Sequence, residues 1–243
     1  MIDIHCHILP GIDDGAKDLH EAQKMLNFQR IADVNCMYLT PHFYPEEKKL
    51  EEFLAERETA WKELNQNAEL LHGFQLRLGA EISYCQEMLT LDLKKLTLGE
   101  SNYLLLEFPY YYPAYTEQVM KKLLGQGFIP ILAHVERYSY FRREPRLLKQ
   151  LVDLGALAQV SAQALFNRRD RGFAMACLYN GLAQIVVSDA HNTTDRKPNM
   201  DVVYKLPEAL KQLHDAFSTA VWKNEQPPYL QATIVKKTFF GYR

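Results

Sequence analysis

Along the chain, short and nearly continuous apolar runs alternate with longer stretches in which apolar residues recur every three or four positions. The runs are Met1–His5, Cys36–Thr40, Gln75–Glu81, Tyr103–Phe108, Ile129–His134, Ala156–Ser161 and Gln184–Ser188. Runs this short, apolar on both faces, predict parallel strands covered on either side by helices. Pro130 conflicts with a strand interior and fits only near a strand's first residues.

The stretches between them read as helices. Asp18 with Glu21 has the form of a capping box opening a helix to about Ala32. Glu46–His72 carries Leu50, Phe53, Leu54, Trp61, Leu64, Ala68 and Leu71 on one face, with a solvated Glu/Lys face opposite, and stops at Gly73. Tyr115–Leu124 turns Val119 and Leu123 inward and ends at Gly125. Pro145 opens a helix that Gly155 closes, and Arg171–Asn180 ends at Gly181. Val203–Phe217 is the last predicted helix. His20, His72 and His214 fall in helical segments and read as solvated.

About seven βα units, with no Gly/Ser-rich linker and no internal repeat, predict one α/β domain over residues 1–243. The expected architecture is a barrel one unit short of the (β/α)₈ size, with a doubly wound open sheet as the alternative. With 47% hydrophobic and 24% charged residues, collagen-like and disordered readings are excluded. The net charge of -2 lacks the basic excess of proteins that live on nucleic-acid phosphates. No apolar run approaches the ~18–20 residues of a membrane span, so no membrane insertion is expected. Met1-Ile2-Asp3-Ile4-His5 has none of the features of a signal peptide. Cys6, Cys36, Cys85 and Cys177 form no CxxC and read as reduced thiols, which predicts a cytoplasmic location.

Candidate chemistry gathers where the apolar runs end. They terminate in His5-Cys6-His7, Thr40-Pro41-His42, Gly79-Ala80-Glu81, Leu106-Glu107, Ala133-His134 and Ser188-Asp189-Ala190-His191. In parallel α/β barrels, sites are built at the C-terminal strand ends. Side chains alternate along a strand, so His5 and His7 face one way, as do Asp189 and His191 if that strand continues. Ile2, Ile4, Cys6 and Ile8 are then expected on the opposite face. Five of the 8 histidines fall at these ends, and burying such a cluster without a cation is expensive. Imidazole and carboxylate donors without thiolate favour Mn²⁺, Fe²⁺ or Zn²⁺ in a catalytic role. The aromatic runs Phe108-Pro109-Tyr110-Tyr111-Tyr112-Pro113 and Phe43-Tyr44 either flank a flat ring at the mouth or pack loops onto the barrel.

These ordered motifs resemble the polymerase and histidinol phosphatase superfamily, whose members have distorted seven-stranded barrels with two or three metals. Met1-Ile2-Asp3-Ile4-His5-Cys6-His7-Ile8, Asp13-Asp14-Gly15, Gly79-Ala80-Glu81-Ile82, Leu106-Glu107-Phe108, His134-Val135-Glu136-Arg137-Tyr138 and Ser188-Asp189-Ala190-His191-Asn192 are similar to the bacterial manganese-dependent tyrosine-protein phosphatases of capsule and exopolysaccharide operons. The resemblance implies up to three manganese ions. His5, His7, Glu81 and Asp189 would hold the first; Glu81, Glu107 and His134 the second; Asp14, His42 and His191 the third. It also implies phosphate-binding roles for Arg137 and Arg196, whose guanidinium groups match pairs of phosphate oxygens. The implied reaction is attack of a metal-bridging hydroxide on phosphotyrosine. The implied partner is a membrane-associated tyrosine kinase that controls polysaccharide synthesis.

Rival chemistries lack their signatures. A cysteine-based tyrosine phosphatase needs Arg six residues after its nucleophile, and Ile12, His42, Leu91 and Ala183 stand there instead. GxSxG and GxxxxGK[ST] are absent. A small-molecule phosphatase, such as one acting on histidinol phosphate, is the nearest alternative; a nuclease and a non-catalytic scaffold are the others.

Overall fold

Strands form at the apolar runs and helices at the periodic stretches in the computed structural model of the chain, which describes residues 1–238 and 241–242. The first half comprises β1 (Ile2–Cys6), α1 (Leu19–Ile31), β2 (Cys36–Leu39), β3 (His42–Phe43), α2 (Leu50–Asn65), α3 (Ala68–Leu71), β4 (Gln75–Leu78), β5 (Glu81–Ser83) and β6 (Tyr103–Glu107). Then come α4 (Thr116–Gly125), β7 (Ile129–Leu132), α5 (Ser139–Arg143), α6 (Pro145–Leu154), β8 (Leu157–Ser161), α7 (Ala162–Phe166), α8 (Arg171–Tyr179), β9 (Ile185–Val187) and α9 (Glu208–Lys223). A short antiparallel ribbon, β10 (Lys237–Thr238) with β11 (Gly241–Tyr242), follows.

One parallel sheet has the order β1-β2-β4 and a second the order β3-β5-β6-β7-β8-β9. They are parts of one curled wall. Gly79 N–H donates to the Leu39 carbonyl at 2.9 Å and Glu81 N–H to that of Pro41 at 3.0 Å, so β2–β3 and β4–β5 run as two interrupted strands side by side. At the opposite seam, Asp189 N–H donates to the His5 carbonyl and His7 N–H to that of Ala190, each at 2.9 Å. Further down this seam side chains replace the ladder. Ser188 N–H donates to Asp3 Oδ1 at 3.1 Å, and Val186 N–H to His214 Nδ1 at 3.3 Å. These amides would otherwise be buried without acceptors.

Inside the wall, Ile4, Tyr38, Tyr103, Leu105, Ile131, Leu157, Ile185 and Val187 form one apolar cluster, which α9 plugs with Phe217, Val221 and Trp222. The last carbonyls of α9 lack helical partners and find them in the barrel floor. Tyr38 Oη donates to Val221 O at 3.3 Å, and the Arg77 guanidinium donates to Trp222 O while lying 3.9 Å above the Trp222 ring. Outside the wall, the helices cover Cys6, Met37, Leu39, Ile82, Leu104 and Leu106.

Several expectations change. Asp3 pairs with Met37 and Cys6 with Leu39, so three steps along β1 match two along β2. That bulge resets the alternation. Ile4 points inward, whereas Cys6 and Ile8 join the outer core, so the four do not share a face. His5 and His7 still face the same way, their Nε2 atoms 3.0 Å apart. Gln75–Glu81 divides at Gly79-Ala80 into β4 and β5. Glu46–His72 helical packing begins only at Leu50 and breaks at Gln66-Asn67, leaving Ala68 exposed. Only half of the capping box forms. Asp18 Oδ1 caps Glu21 N–H at 2.8 Å, but Glu21 Oε1 instead accepts from Thr193 N–H and Oγ1 at 2.9 and 2.7 Å. The last helix starts after Pro207 and runs to Lys223, and residues Met200–Lys205 form a 3-10 turn.

His214 is fully buried, not solvated. Burial, with a smaller contribution from the N-terminal ammonium, lowers its pKa to about 4. In the unfolded chain it titrates near ~6.5. Above that value both states are neutral, and as pH falls toward 4 only the unfolded state gains the proton. The imidazole alone is therefore expected to remove about 3 kcal/mol of stability between pH 6.5 and 4. His214→Leu should lose stability at neutral pH, because Val186 N–H loses its acceptor, yet show a shallower acid decline. Urea midpoints of both proteins at pH 7.5 and 4.5 measure this; equal declines would refute it.

Candidate metal centre

Five histidines and three carboxylates from six strand ends, with a fourth carboxylate from a loop, meet at the C-terminal mouth of the wall. β1 and the residue after it supply His5 and His7; β3 begins with His42 and β5 with Glu81, paired in register. β6 ends in Glu107, and the turns after β7 and β9 carry His134, Asp189 and His191. His134 and Asp189 hold left-handed backbone angles, φ 31° and 49°. Non-glycine residues adopt such angles at a cost of about 1–3 kcal/mol, and they concentrate at functional sites. Asp14 comes from the loop after β1. Gly15 permits that loop's approach: a Cβ there would lie 2.2 Å from the His7 carbonyl oxygen.

Glu81 Oε2 is the centre of the arrangement. It lies 3.1 Å from His5 Nε2, 3.3 Å from His7 Nε2 and 3.1 Å from His42 Nδ1. It is buried without a hydrogen-bond partner, as is His42 Nδ1. His5 Nε2 and His7 Nε2 stand 3.0 Å apart, and Asp189 Oδ1 is 3.5 Å from the first. Donor atoms ~2.1 Å from a shared ion lie about 3.0–3.4 Å from one another. Glu81 Oε1 sits 2.9 Å from His134 Nε2, which also faces Glu107 Oε1 at 3.6 Å. Asp14 Oδ1 lies 3.4 Å from both His42 Nε2 and His191 Nε2. Among the described residues, three groups satisfy the spacing of ligands around a cation: His5, His7, Glu81 and Asp189; His42, Glu81 and Glu107; and His7, Asp14, His42 and His191. The first is the set expected for the first metal. The second has His42 where the expectation has His134, and the third adds His7.

The electrostatics describe a site short of positive charge. Burial, then the neighbouring Glu81, pushes the Glu107 carboxyl up to about 7. Burial and then His7 lower His191 to about 4. Burial also opposes the charge of Asp189, but Arg137 and His5 hold its carboxyl far below the usual range. Arg137 Nη2 donates to Asp189 Oδ2, and Arg196 Nη2 lies 3.2 Å from both Asp189 oxygens. Arg196 Nη1 reaches Asp14 Oδ2 at 3.5 Å. Both arginines thus border the site.

Two supporting residues escaped the strand-end reading. Asp13 Oδ2 contacts His7 Nδ1 at 2.7 Å and accepts from His42 N–H at 3.0 Å. Against its own burial, His7 holds Asp13 down to about 2, while Asp13 and Glu81 overcome burial to push His7 up to about 10. Gln159 Nε2 contacts His5 Nδ1 from the middle of β8. Its only signal in the sequence is a fully buried polar residue in an otherwise apolar run. Of the aromatic residues, Phe108 stacks on Tyr84 and Tyr112 meets Tyr140 edge-on, both as loop packing. Tyr44 stacks on His42 at 5.5 Å and lines a cavity of about 450 Å³ with Ile12, Asp13, Asp14 and Phe43.

Comparison with known proteins accords with this geometry. The profile of a family described as capsular polysaccharide synthesis, CpsB/CapC, matches residues 1–225. The putative tyrosine-protein phosphatase CapC of Staphylococcus aureus is 32% identical over 238 residues, 95% of this chain and 89% of that protein. The tyrosine-protein phosphatase YwqE of Bacillus subtilis (strain 168) is 34% identical over 230 residues, 90% of this chain and 86% of its own length. A chain from the crystal structures of YwqE from Bacillus subtilis and CpsB from Streptococcus pneumoniae, described as unique metal-dependent tyrosine phosphatases, superposes with a TM-score of 0.87 at 30% identity, covering 97% of this chain and 100% of that one. A β-aspartyl dipeptidase from Fervidobacterium islandicum, at 12% identity and a TM-score of 0.52 over 97% of this chain and 78% of that one, shares the fold alone. With the family profile matching nearly its whole length, the chain belongs to the CpsB/CapC family of capsular polysaccharide synthesis proteins.

Proposed function

We propose that this chain is a metal-dependent tyrosine-protein phosphatase. The observation that carries the metal requirement is Glu81 Oε2, buried without a hydrogen bond among three imidazole nitrogens. His5, His7, Glu81 and Asp189 would hold one ion; Glu81, Glu107 and His134, with His42 beside them, a second; Asp14, His42 and His191 a third. Manganese is the ion that the family resemblance favours; the donor set suits Fe²⁺ and Zn²⁺ as well. When bound, the ions supply Lewis acidity toward the phosphoryl group and draw the pKa of coordinated water toward neutrality.

The chain's own residues do the rest. Arg137 and Arg196, which flank Asp189, would present paired donors to the phosphoryl oxygens. Asp13 Oδ2 accepts from His7 Nδ1–H, and Gln159, with its side-chain amide turned so that Oε1 takes the place of Nε2, accepts from His5 Nδ1–H, which would leave Nε2 of each ring for the ion. Tyr44 offers a flat surface beside the mouth for a substrate phenyl ring. The leaving phenolate has a conjugate-acid pKa near ~10, low enough to depart without a dedicated general acid. The substrate is a phosphotyrosine protein, in our reading a tyrosine kinase of polysaccharide synthesis, and the enzyme acts in the cytoplasm. No helix among the described residues is long and apolar enough to cross a membrane. We take the curled wall to be a distorted seven-stranded barrel forming a single domain, counting β2–β3 and β4–β5 as one strand each.

The test is hydrolysis by metal-stripped protein, with and without added Mn²⁺, on phosphotyrosine peptide, phosphoserine peptide and histidinol phosphate in parallel. Manganese-restored turnover that favours phosphotyrosine is expected. Activity surviving complete chelation overturns the metal reading, and a preference for histidinol phosphate overturns the substrate. As a second prediction, Gln159→Leu should weaken manganese binding by about 10–100-fold. Equilibrium dialysis measures this, and unchanged affinity would remove Gln159 from the site.

A further inference from the structure

Beside the mouth lies a group of arginines that the chemistry above does not use. The loop between α7 and α8 reads Asn167-Arg168-Arg169-Asp170-Arg171. Arg168, Arg169 and Arg171 are exposed, and among the described residues none of them has a carboxylate within ion-pair distance. The one acid in the loop, Asp170, is taken by Arg142 at 2.6 Å. In a chain of net charge -2 this is a concentrated positive patch.

Its position is tied to the site from two sides. Arg142, on α5 just after the turn that carries Arg137, donates from Nη2 to the Glu136 carbonyl at 2.5 Å and from Nη1 to the Arg169 carbonyl at 3.3 Å. Asn199 Nδ2, just beyond Arg196 in sequence, donates to Gln163 Oε1 of α7 at 2.9 Å. The arginine loop is therefore anchored to both segments that carry the arginines bordering the metal centre. Guanidinium groups left without carboxylate partners at a protein surface repel one another, and an anionic partner relieves that repulsion. Arginine's planar fork suits carboxylates and phosphates, and its stacking on rings suits a tyrosine-bearing segment.

We propose that Arg168, Arg169 and Arg171 form a docking surface for an acidic segment of the protein substrate, one whose carboxylates or further phosphotyrosines lie beside the phosphotyrosine in the site. This deepens the phosphatase reading and rests on it. The patch sets which phosphotyrosine proteins are taken, while the chemistry remains at the metal centre.

The test compares manganese-loaded wild type with the triple variant Arg168→Gln/Arg169→Gln/Arg171→Gln. The substrates are a phosphotyrosine peptide flanked by glutamates, the same peptide flanked by glutamines, a doubly phosphorylated peptide, and p-nitrophenyl phosphate. Wild type should show a KM roughly 5–20-fold lower for the glutamate peptide than for the glutamine peptide, with similar kcat. The triple variant should lose that difference and keep its activity on p-nitrophenyl phosphate; 0.5 M NaCl should erase it in wild type. The doubly phosphorylated peptide separates phosphate from carboxylate as the preferred anion. A wild type without acidic preference, or a triple variant that retains it, overturns the proposal. Loss of binding to phosphatidylserine vesicles without any change in peptide preference would assign the patch to a membrane and also overturn it. Should wild type hydrolyse none of the phosphotyrosine substrates, the phosphatase reading fails; fluorescence anisotropy with the unphosphorylated glutamate peptide then decides the docking surface independently.

Discussion

Glu81→Gln is expected to lower kcat/KM on p-nitrophenyl phosphate by about 1000-fold or more, since loss of the central carboxylate would remove several kcal/mol of cation-based stabilisation at about 1.4 kcal/mol per decade. Glutamine has nearly the same volume and keeps the strand pairing of Glu81 with His42 and Leu105. What changes is charge. Burial opposes the Glu81 carboxylate, yet His5, His42 and His134 hold it well below the usual carboxylate range. Among the described residues no other carboxylate touches as many of the imidazoles. The amide has one oxygen, neutral, and its NH₂ faces nitrogens that must remain free to bind cations. The manganese content of the purified variant should fall in parallel with activity, while the melting temperature of the metal-free protein shows that the fold persists. A variant that retains full metal content and turnover would remove Glu81 from the centre of the site.

Arg137→Ala is expected to lose about 100–1000-fold in kcat/KM, the range measured when one donor to a developing anionic oxygen is deleted. Here the separation of effects is diagnostic. Arg137 donates to Asp189 in this structure, so its removal leaves Asp189 with Arg196 as its remaining guanidinium partner. Metal content should hold, or rise, because a competing cation has gone. Arg137→Lys should not restore activity, since a single ammonium cannot reproduce a planar pair of donors. If Arg137→Ala turns over normally, the guanidinium serves Asp189 alone and has no role in binding phosphate.

The contrast between the two predictions follows from how far each group reads in the linear chain. Glu81, like His5, His42 and Glu107, sits at the end of a visible apolar run, and in a parallel wall the ends of the runs converge. Nothing local to Arg137 says whether it pairs with its neighbour Glu136 or crosses to Asp189. The structure takes the second option, because Glu136 turns inward to Ser161 Oγ and Ser161 N–H on β8. Glu21 is similar. Its spacing from Asp18 has the form of a capping box, but an acceptor was needed 172 residues away at Thr193, and the tertiary contact prevailed over the local one.

Periodicity was enough to order the strands and helices, and local chemistry to place Pro145 at the start and Gly155 at the end of one helix; each of these depends on residues close together in sequence. The run ends also showed which imidazoles and carboxylates a parallel wall would bring to one mouth. Long-range closure lay beyond these signals. The bulge that turns Ile4 inward and Cys6 outward, the burial of His214 against Val186, and the support of His5 by Gln159 all arise where β1, β8, β9 and α9 close the wall. A buried amide or imidazole must find a partner there, and which atom serves depends on the shape that closure produces.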